Sequence, residues 1–294
     1  MKLIYDNALV YAPGNNEGMK TRIAVSQSET KGMHTEQIRE NFLVQPPVQT
    51  GSLELVYTHY DRVIIGGVSP SGKAVALSNP DELKAAFFLE RRELGIINTG
   101  GKGIVTADGV QYELEKMDCL YLGKGTQKVS FSSTDKKTPA FFYLLSAPAH
   151  HKYPNKKMSR AKATPVHLGD SITSNKRTIY KYIHNDGIQS CQLVMGLTLL
   201  EAGSVWNSVP PHTHTRRMEV YFYFDVQEGQ RVFHFMGTPQ ETRHLVMTNH
   251  EAVISPPWSV HFGCGTSSYG FIWGMAGENK EFTDMDPAPV PLLK

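Results

Sequence analysis

The sequence predicts an all-β protein built from one β unit used twice. From about residue 50 the chain breaks into short apolar runs separated by Gly, Pro, Asn and Asp. Helical periodicity is weak throughout. Three segments of the first half also return in pattern in the second. ELGIIN (93–98) lines up with EVYFYF (219–224), DCLYLG (118–123) with EAVISP (251–256), and AFFYLL (140–145) with GFIWGM (270–275).

In chain order, residues 1–40 carry Pro13, Gly14, Asn15, Asn16 and many polar residues, and read as a weakly structured extension. Strands are expected at 53–59, 62–68, 95–98, 103–107, 119–122, 128–132 and 140–145, with a hairpin turn at Asp108-Gly109. One short helix is expected over 81–87, near Pro80. The stretch 147–165, rich in Pro, Lys, Ser and Ala, reads as a linker. Strands then follow at 178–183, 192–200, 220–225, 232–236, 252–255 and 269–275. The expected division is an N-terminal arm over 1–40, a first barrel over 41–150 and a second over 151–294.

A chain of 294 residues can build a core of this size without disulfides. Its net charge of +2 gives no basis for wrapping nucleic acid or lying on an anionic membrane. The start, 1–10, lacks the basic end and apolar run of a signal peptide, and no run is long enough to span a bilayer. Cys119, Cys191 and Cys264 lie far apart, form no CxxC pair, and read as buried thiols. Together these features predict a soluble cytoplasmic protein.

The chemistry is concentrated in PPHTHTRRMEVYFYF (210–224). His212 and His214, two residues apart, face the same way on a strand and can reach one ion. Glu219 follows at an odd offset, so a bulge or turn is required around 215–217. Beyond it, Glu219, Tyr221, Tyr223 and Asp225 share one face suited to a wet cavity. Val220, Phe222, Phe224 and Val226 share the other, suited to a packed layer. SPPWSVH (255–261) delivers a fourth donor, His261. A lone HxH is weak, because most histidines are surface or core residues; joined to the Glu and the Pro-flanked His it is more specific. Three neutral imidazoles and a carboxylate suit Zn, Mn, Fe, Co or Ni better than Mg or Ca. In the repeat alignment the counterparts of His212, His214, Glu219 and His261 are Ala86, Phe88, Glu93 and Lys128. No metal is therefore expected in the first unit.

HxHxxxxE with a distant His resembles the metal motif of cupins, double-stranded β-helix, jelly-roll-like barrels, and two such units make a bicupin with few short helices. FLERRELG (88–95), GKG (123–125), SAPAH (146–150), HTRRMEVYFYF (214–224), PQETRH (239–244) and GEN (277–279) resemble the 5-dehydro-4-deoxy-D-glucuronate isomerase (4-deoxy-L-threo-5-hexosulose-uronate ketol-isomerase) family over about 35–287. The resemblance implies a cytoplasmic zinc bicupin, commonly a hexamer. Its metal would be held by His212, His214, Glu219 and His261. It would convert 5-dehydro-4-deoxy-D-glucuronate to 3-deoxy-D-glycero-2,5-hexodiulosonate in pectin and uronate degradation.

Such a reaction moves a proton between adjacent carbons through an enediolate, and one base on one face can do both transfers. Candidates for catalysis are Glu219, Tyr223 and His244, with Glu241 a further alternative. The substrate carboxylate calls for a cation, preferably Arg, and the candidates are Arg177, Lys181, Arg217 and Arg243. Arg216-Arg217 reads equally well as a solvated or subunit-facing pair. The competing readings are a 5-deoxyglucuronate isomerase of inositol breakdown, an iron cupin dioxygenase, and a non-catalytic storage bicupin.

Overall fold

The computed structural model describes residues 19–45, 51–281 and 283–294. Two seven-stranded sheets and two four-stranded sheets, in two sets of the same layout, make up the fold with one two-stranded sheet, His212–Thr213 with Asp286–Pro287. The first large sheet runs in the order Lys20–Arg22, Leu53–Thr58, Ile64–Val68, Phe142–Pro148, Arg92–Asn98, Cys119–Leu122, Lys156–Met158. The second runs Pro165–Leu168, Arg177–Ile183, Val194–Leu200, Gly270–Gly277, Arg217–Phe224, Ala252–Ser255, Leu43–Val44. Each is faced by a small sheet: Val75–Ala76, Val129–Ser133, Gly103–Ala107 and Val110–Leu114 in the first set, Trp206–Asn207, Phe262–Gly265, Val232–Thr238 and Glu241–Met247 in the second. This is the all-β, jelly-roll-like bicupin architecture the sequence predicts.

The edge strands cross between the sets. Leu43–Val44 pairs with Ala252–Ser255 of the second sheet, and Lys156–Met158 pairs with Cys119–Leu122 of the first. The expected linker thus includes a strand. Each crossing covers a row of backbone groups that would otherwise template pairing with another chain.

Two expectations fail locally. The helix over 81–87 is only a 3-10 turn, Asp81–Leu83, ended by Lys84 in the left-handed region at φ 45°. The arm is more ordered than its composition suggests. Ser26 and Glu29 form a capping box on the helix Gln27–Lys31, and the helix Thr35–Phe42 buries Ile38 and Phe42 in the core it shares with the second sheet. The extension reading of residues 1–18 lies outside the described residues. No described helix is long and apolar enough to cross a membrane.

Alternation divides each large sheet into an inward and an outward face. Leu94, Ile96, Leu120, Leu122, Phe142 and Leu144 fill the first barrel with Val105 and Phe131 of its small sheet. The opposite face, with Ile97, Cys119, Tyr121, Tyr143 and Leu145, joins Val220, Phe222, Phe224 and Ile272 in one core between the barrels. There the Phe222 ring stacks on Tyr143 at 4.6 Å. A Cβ at Gly95 would lie 2.6 Å from the Met195 sulfur, so these two sheets meet too closely for any side chain there.

Glu93 lies in this apolar interface, fully buried. Its carboxylate accepts the backbone N–H groups of Cys191 (2.7 Å), Gln192 (2.8 Å) and Leu193 (2.9 Å) and the Tyr121 hydroxyl (2.8 Å). Glu93→Ala is expected to destabilise the fold by at least ~3 kcal/mol, because each orphaned buried donor costs roughly 1–3 kcal/mol. Denaturant unfolding measures the loss, and Glu93→Gln, which keeps one acceptor oxygen, should recover part of it.

Candidate metal centre

Strand Arg217–Phe224 is buried along its whole length because both faces are covered. Val220, Phe222 and Phe224 pack toward the first barrel, which turns Glu219, Tyr221 and Tyr223 into the second. Short strand His212–Thr213 pairs with Asp286–Pro287 and ends in the turn that the odd offset of Glu219 requires, with Arg217 N donating to His214 O. His261 enters from the opposite sheet, just before Phe262–Gly265.

These elements bring all four predicted ligands together, with their donor atoms within 4.8 Å of one another. His212 Nε2 lies 3.2 Å from His214 Nε2 and 3.1 Å from His261 Nε2. Glu219 Oε2 lies 3.0 Å from His214 Nε2 and 2.9 Å from His261 Nε2. Adjacent donors each ~2.1 Å from one six-coordinate ion stand about 3.0 Å apart, so the spacing fits a first-row divalent metal. The rings are also oriented for one. His214 Nδ1 meets the Asp284 carbonyl at 2.9 Å, and His261 Nδ1 meets the Ser259 carbonyl and Ser255 Oγ, both at 3.2 Å. A carbonyl can only accept, so each Nδ1 carries the proton and each Nε2 points a lone pair inward.

Burial alone would raise the Glu219 carboxyl, but the His261 and His214 imidazoles against it outweigh that and hold it well below the usual carboxylate range. Burial, followed by the neighbouring His261, pushes His212 down to about 2. At neutral pH His212 is therefore a neutral imidazole and Glu219 a carboxylate.

The site opens into a cavity of about 300 Å³ walled by Phe271, Trp273, Met275, Pro210 and Pro211. Arg177 lines it, half-buried, with Nη1 donating to Asn175 O at 2.9 Å. Tyr221, between Glu219 and Tyr223 on the inward face, also lines it, its hydroxyl 2.6 Å from Ser208 Oγ. Sequence reasoning placed Tyr221 on the right face but did not select it. The available signal was that Tyr221 is two residues from Glu219 and Tyr223 is four.

The other candidates stand elsewhere. Tyr223 is buried below the cavity, its hydroxyl 2.8 Å from His234 Nδ1. His244 is exposed on strand Glu241–Met247, whose inward face is made by Leu245 and Met247, so it points away from the ligands. On the same strand Glu241 pairs with Arg243, which also donates to Lys31 O. Lys181 is partly buried and is not among the cavity-lining residues. Arg217 is 1% exposed and donates to the carbonyls of Asn279 (3.0 Å), Glu281 (2.6 Å) and Asp284 (3.2 Å). It ties Asn279, Glu281 and Asp284 under His214 rather than facing the cavity. Arg216 is the solvated partner, paired with Asp284 at 2.6 Å.

A model of the KduI/IolB family matches residues 42–289. The chain belongs to that family. It is 56% identical over 276 residues, 94% of this chain and 100% of the relative, to a Shouchella clausii protein named 4-deoxy-L-threo-5-hexosulose-uronate ketol-isomerase. A Caldicellulosiruptor bescii protein of the same name is 51% identical over the same shares of the two chains. Among solved structures, an IolB-like protein from Salmonella typhimurium LT2 is similar in fold, with TM-score 0.64 and 16% identity, covering 82% of this chain and 94% of that one. Oxalate decarboxylase from Lactobacillus farciminis is similar with TM-score 0.57 and 11% identity, covering 84% and 88%.

Within this family member the two barrels correspond one residue differently from the sequence alignment. Asn98 N donates to Asp118 O as Tyr223 N donates to Glu251 O. Four residues back along each strand, Leu94 stands where Glu219 does. Gly103–Ala107 and Val232–Thr238 each turn back through a two-residue loop, and counting from those hairpins places Phe131 with His261. The Arg91-Arg92 and Arg216-Arg217 doublets then coincide, with Phe87 and Leu89 where His212 and His214 stand. Glu93, by contrast, faces outward into the interface. The first barrel thus holds apolar side chains at all four positions, with Leu89, Leu94 and Phe131 in its core.

Acid should loosen the second barrel. Burial lowers His234 to about 3 and His250 to about 4. These imidazoles stay neutral in the fold, whereas the unfolded chain takes up protons below about pH 6.5. Their contribution is complete above that value and is lost as pH falls through it toward the folded values. Between pH 7 and 5 the metal-free protein should lose about 1–2 kcal/mol per group, read as a falling thermal midpoint. An unchanged midpoint would contradict the burial of these rings.

Proposed function

We propose that this protein is a metal-dependent ketol-isomerase converting 5-dehydro-4-deoxy-D-glucuronate to 3-deoxy-D-glycero-2,5-hexodiulosonate in uronate breakdown. The observation that carries the reading is the convergence of His212, His214, Glu219 and His261 beside a cavity with Arg177 on its wall. The relatives' shared name supplies the substrate. Zinc is the proposed ion, with Mn, Fe, Co or Ni as alternatives for the same donors. When bound, the ion supplies Lewis-acid polarisation of the substrate's carbonyl and hydroxyl oxygens.

The chain's own groups do the rest. Arg177 takes the substrate carboxylate. Burial, its leading influence, lowers its affinity for a proton, so a bound anion restores what desolvation removes. Phe271, Trp273 and Met275 exclude water from the reacting carbons. Burial and the adjacent Glu219 hold the Tyr221 phenol well above its ordinary value, so it stays protonated and donates to a substrate oxygen. Residues 41–150 contribute a barrel without metal, in keeping with Phe87, Leu89, Leu94 and Phe131.

The test incubates purified protein with the keto-uronate and follows the aldose signal by NMR, with and without chelator. Loss of the aldose signal that chelator stops and zinc or manganese restores is the expected result. Turnover of 5-deoxyglucuronate in preference to the keto-uronate would replace the substrate assignment; oxygen uptake would replace the reaction class.

A further inference from the structure

A second concavity, of about 480 Å³, opens at the first barrel, with Tyr57, Arg92 and Phe88 among its walls. It is lined by Arg62, Arg91 and Arg92 against the single carboxylate of Glu82. Among the described residues, no carboxylate lies within 4.0 Å of any of the three guanidinium groups. Asp61 and Glu93 act on Arg62 and Arg92 from a greater distance, but none of the three is directly ion-paired, and three cations around one hollow favour a bound anion.

Two of the cations are held by the backbone. Arg92, 7% exposed, donates through Nη2 to Arg62 O at 2.6 Å and Ser146 O at 2.9 Å, and through Nε to Ser146 Oγ at 3.1 Å. Arg91 Nη2 donates to Leu83 O at 2.6 Å and Lys84 O at 2.8 Å. Arg62 and the preceding Asp61 both hold left-handed backbone, at φ 54° and 47°, which non-glycine residues adopt only when their surroundings impose it. Here they are the two central residues of the tight hairpin turn between Leu53–Thr58 and Ile64–Val68, where Val63 N donates to Tyr60 O at 3.3 Å, and Met218 N donates to Asp61 Oδ2 at 2.9 Å. The fixed Arg91 and Arg92 guanidinium groups, with the exposed Arg62 beside them, suit the two oxygens of a carboxylate. Tyr57 offers an apolar face and Glu82 an acceptor for hydroxyls, while Phe88, 4% exposed, shows only a small part of its ring.

We propose that this hollow is a second ligand site, which binds a carboxylate-bearing sugar without metal. Its ligands are Arg62, Arg91 and Arg92 for the carboxylate, with Tyr57 against the sugar face. Burial, the leading influence, lowers the Arg92 guanidinium to about 10, with Tyr57 and Glu93 opposing the shift and Arg62 adding to it. The site is separate from the metal centre and stands whether or not the isomerase reading does.

Titration calorimetry of the full chain with D-galacturonate tests it, using D-galactose and inorganic phosphate as comparison probes. His212→Ala with Arg177→Met blanks the metal centre and its carboxylate contact. In that variant one galacturonate per chain should still bind and galactose should not. Adding Arg62→Ala and Arg91→Ala, at exposed positions that leave the core intact, should weaken the remaining binding at least about tenfold, as expected when one charge-assisted contact worth ~1.5–3 kcal/mol is lost. Absence of galacturonate binding to protein carrying His212→Ala and Arg177→Met would overturn the proposal. So would binding indifferent to the two arginines, or binding of phosphate alone.

Discussion

Glu219→Ala should abolish turnover and strip the protein of its divalent ion while leaving the β fold in place. Glu219 is the one carboxylate among four donors, and its oxygen sits 3.0 Å and 2.9 Å from two imidazole nitrogens. Without it, three neutral rings face the ion with no anionic ligand. Loss of an outer-shell partner alone costs a metal site roughly 10–100-fold in affinity or activity, so loss of the ligand should exceed that. The fold should survive because the strand is held by other means: Val220, Phe222 and Phe224 sit in the core between the barrels, and main-chain pairing runs from Arg217 to Phe224 against Gly270–Gly277. His212→Ala should behave alike. Metal content by elemental analysis, turnover by NMR and circular dichroism separate the effects. Full activity in metal-free Glu219→Ala protein would end the metal reading.

The sequence exposed this centre because its constraints are local. HxH fixes two donors on one strand face, and alternation past Arg217 says which side Glu219 takes. His261 followed from a turn-rich approach. What lay beyond reach depended on register. EVYFYF and ELGIIN match by eye, yet a one-residue shift exchanges every inward and outward side chain. Read in the wrong frame, Glu93 looked like a surviving ligand, whereas it bonds Cys191, Gln192 and Leu193 across the interface. The Arg-Arg doublets held the right frame. The same limit explains His244 and Arg217. Nothing in PQETRH states that Leu245 and Met247 take the inward face, and nothing in HTRRME states that Asn279, Glu281 and Asp284 supply carbonyls to Arg217. The helix Thr35–Phe42 was missed because a short helix draws its stability from tertiary packing, here of Ile38 and Phe42, rather than from its own propensity.

Of the four cations the sequence offered for the substrate carboxylate, only Arg177 lines the cavity with the metal ligands. Its Nη1 is anchored to Asn175 O, leaving the rest of the guanidinium to face the hollow. Among the described residues no carboxylate lies within salt-bridge distance of it. Arg177→Met keeps length and apolar contact but removes the charge. A hydrogen-bonded charged contact is worth ~1.5–3 kcal/mol, so kcat/KM for the keto-uronate should fall by about 10–150-fold. The split between the constants is informative. If the carboxylate only anchors the substrate, KM rises and kcat holds; if it also sets the reacting carbons against the ion, kcat falls too. Arg177→Lys restores charge without the planar fork and should recover only part. Metal content should stay at the wild-type level in both variants, which distinguishes this loss from that of Glu219→Ala. The decisive comparison is a neutral analogue with a hydroxymethyl group in place of the carboxylate. Wild-type enzyme should handle it as poorly as Arg177→Met handles the acid, and the variant should show no further loss. If wild-type and variant discriminate equally between acid and neutral analogue, Arg177 does not hold the carboxylate.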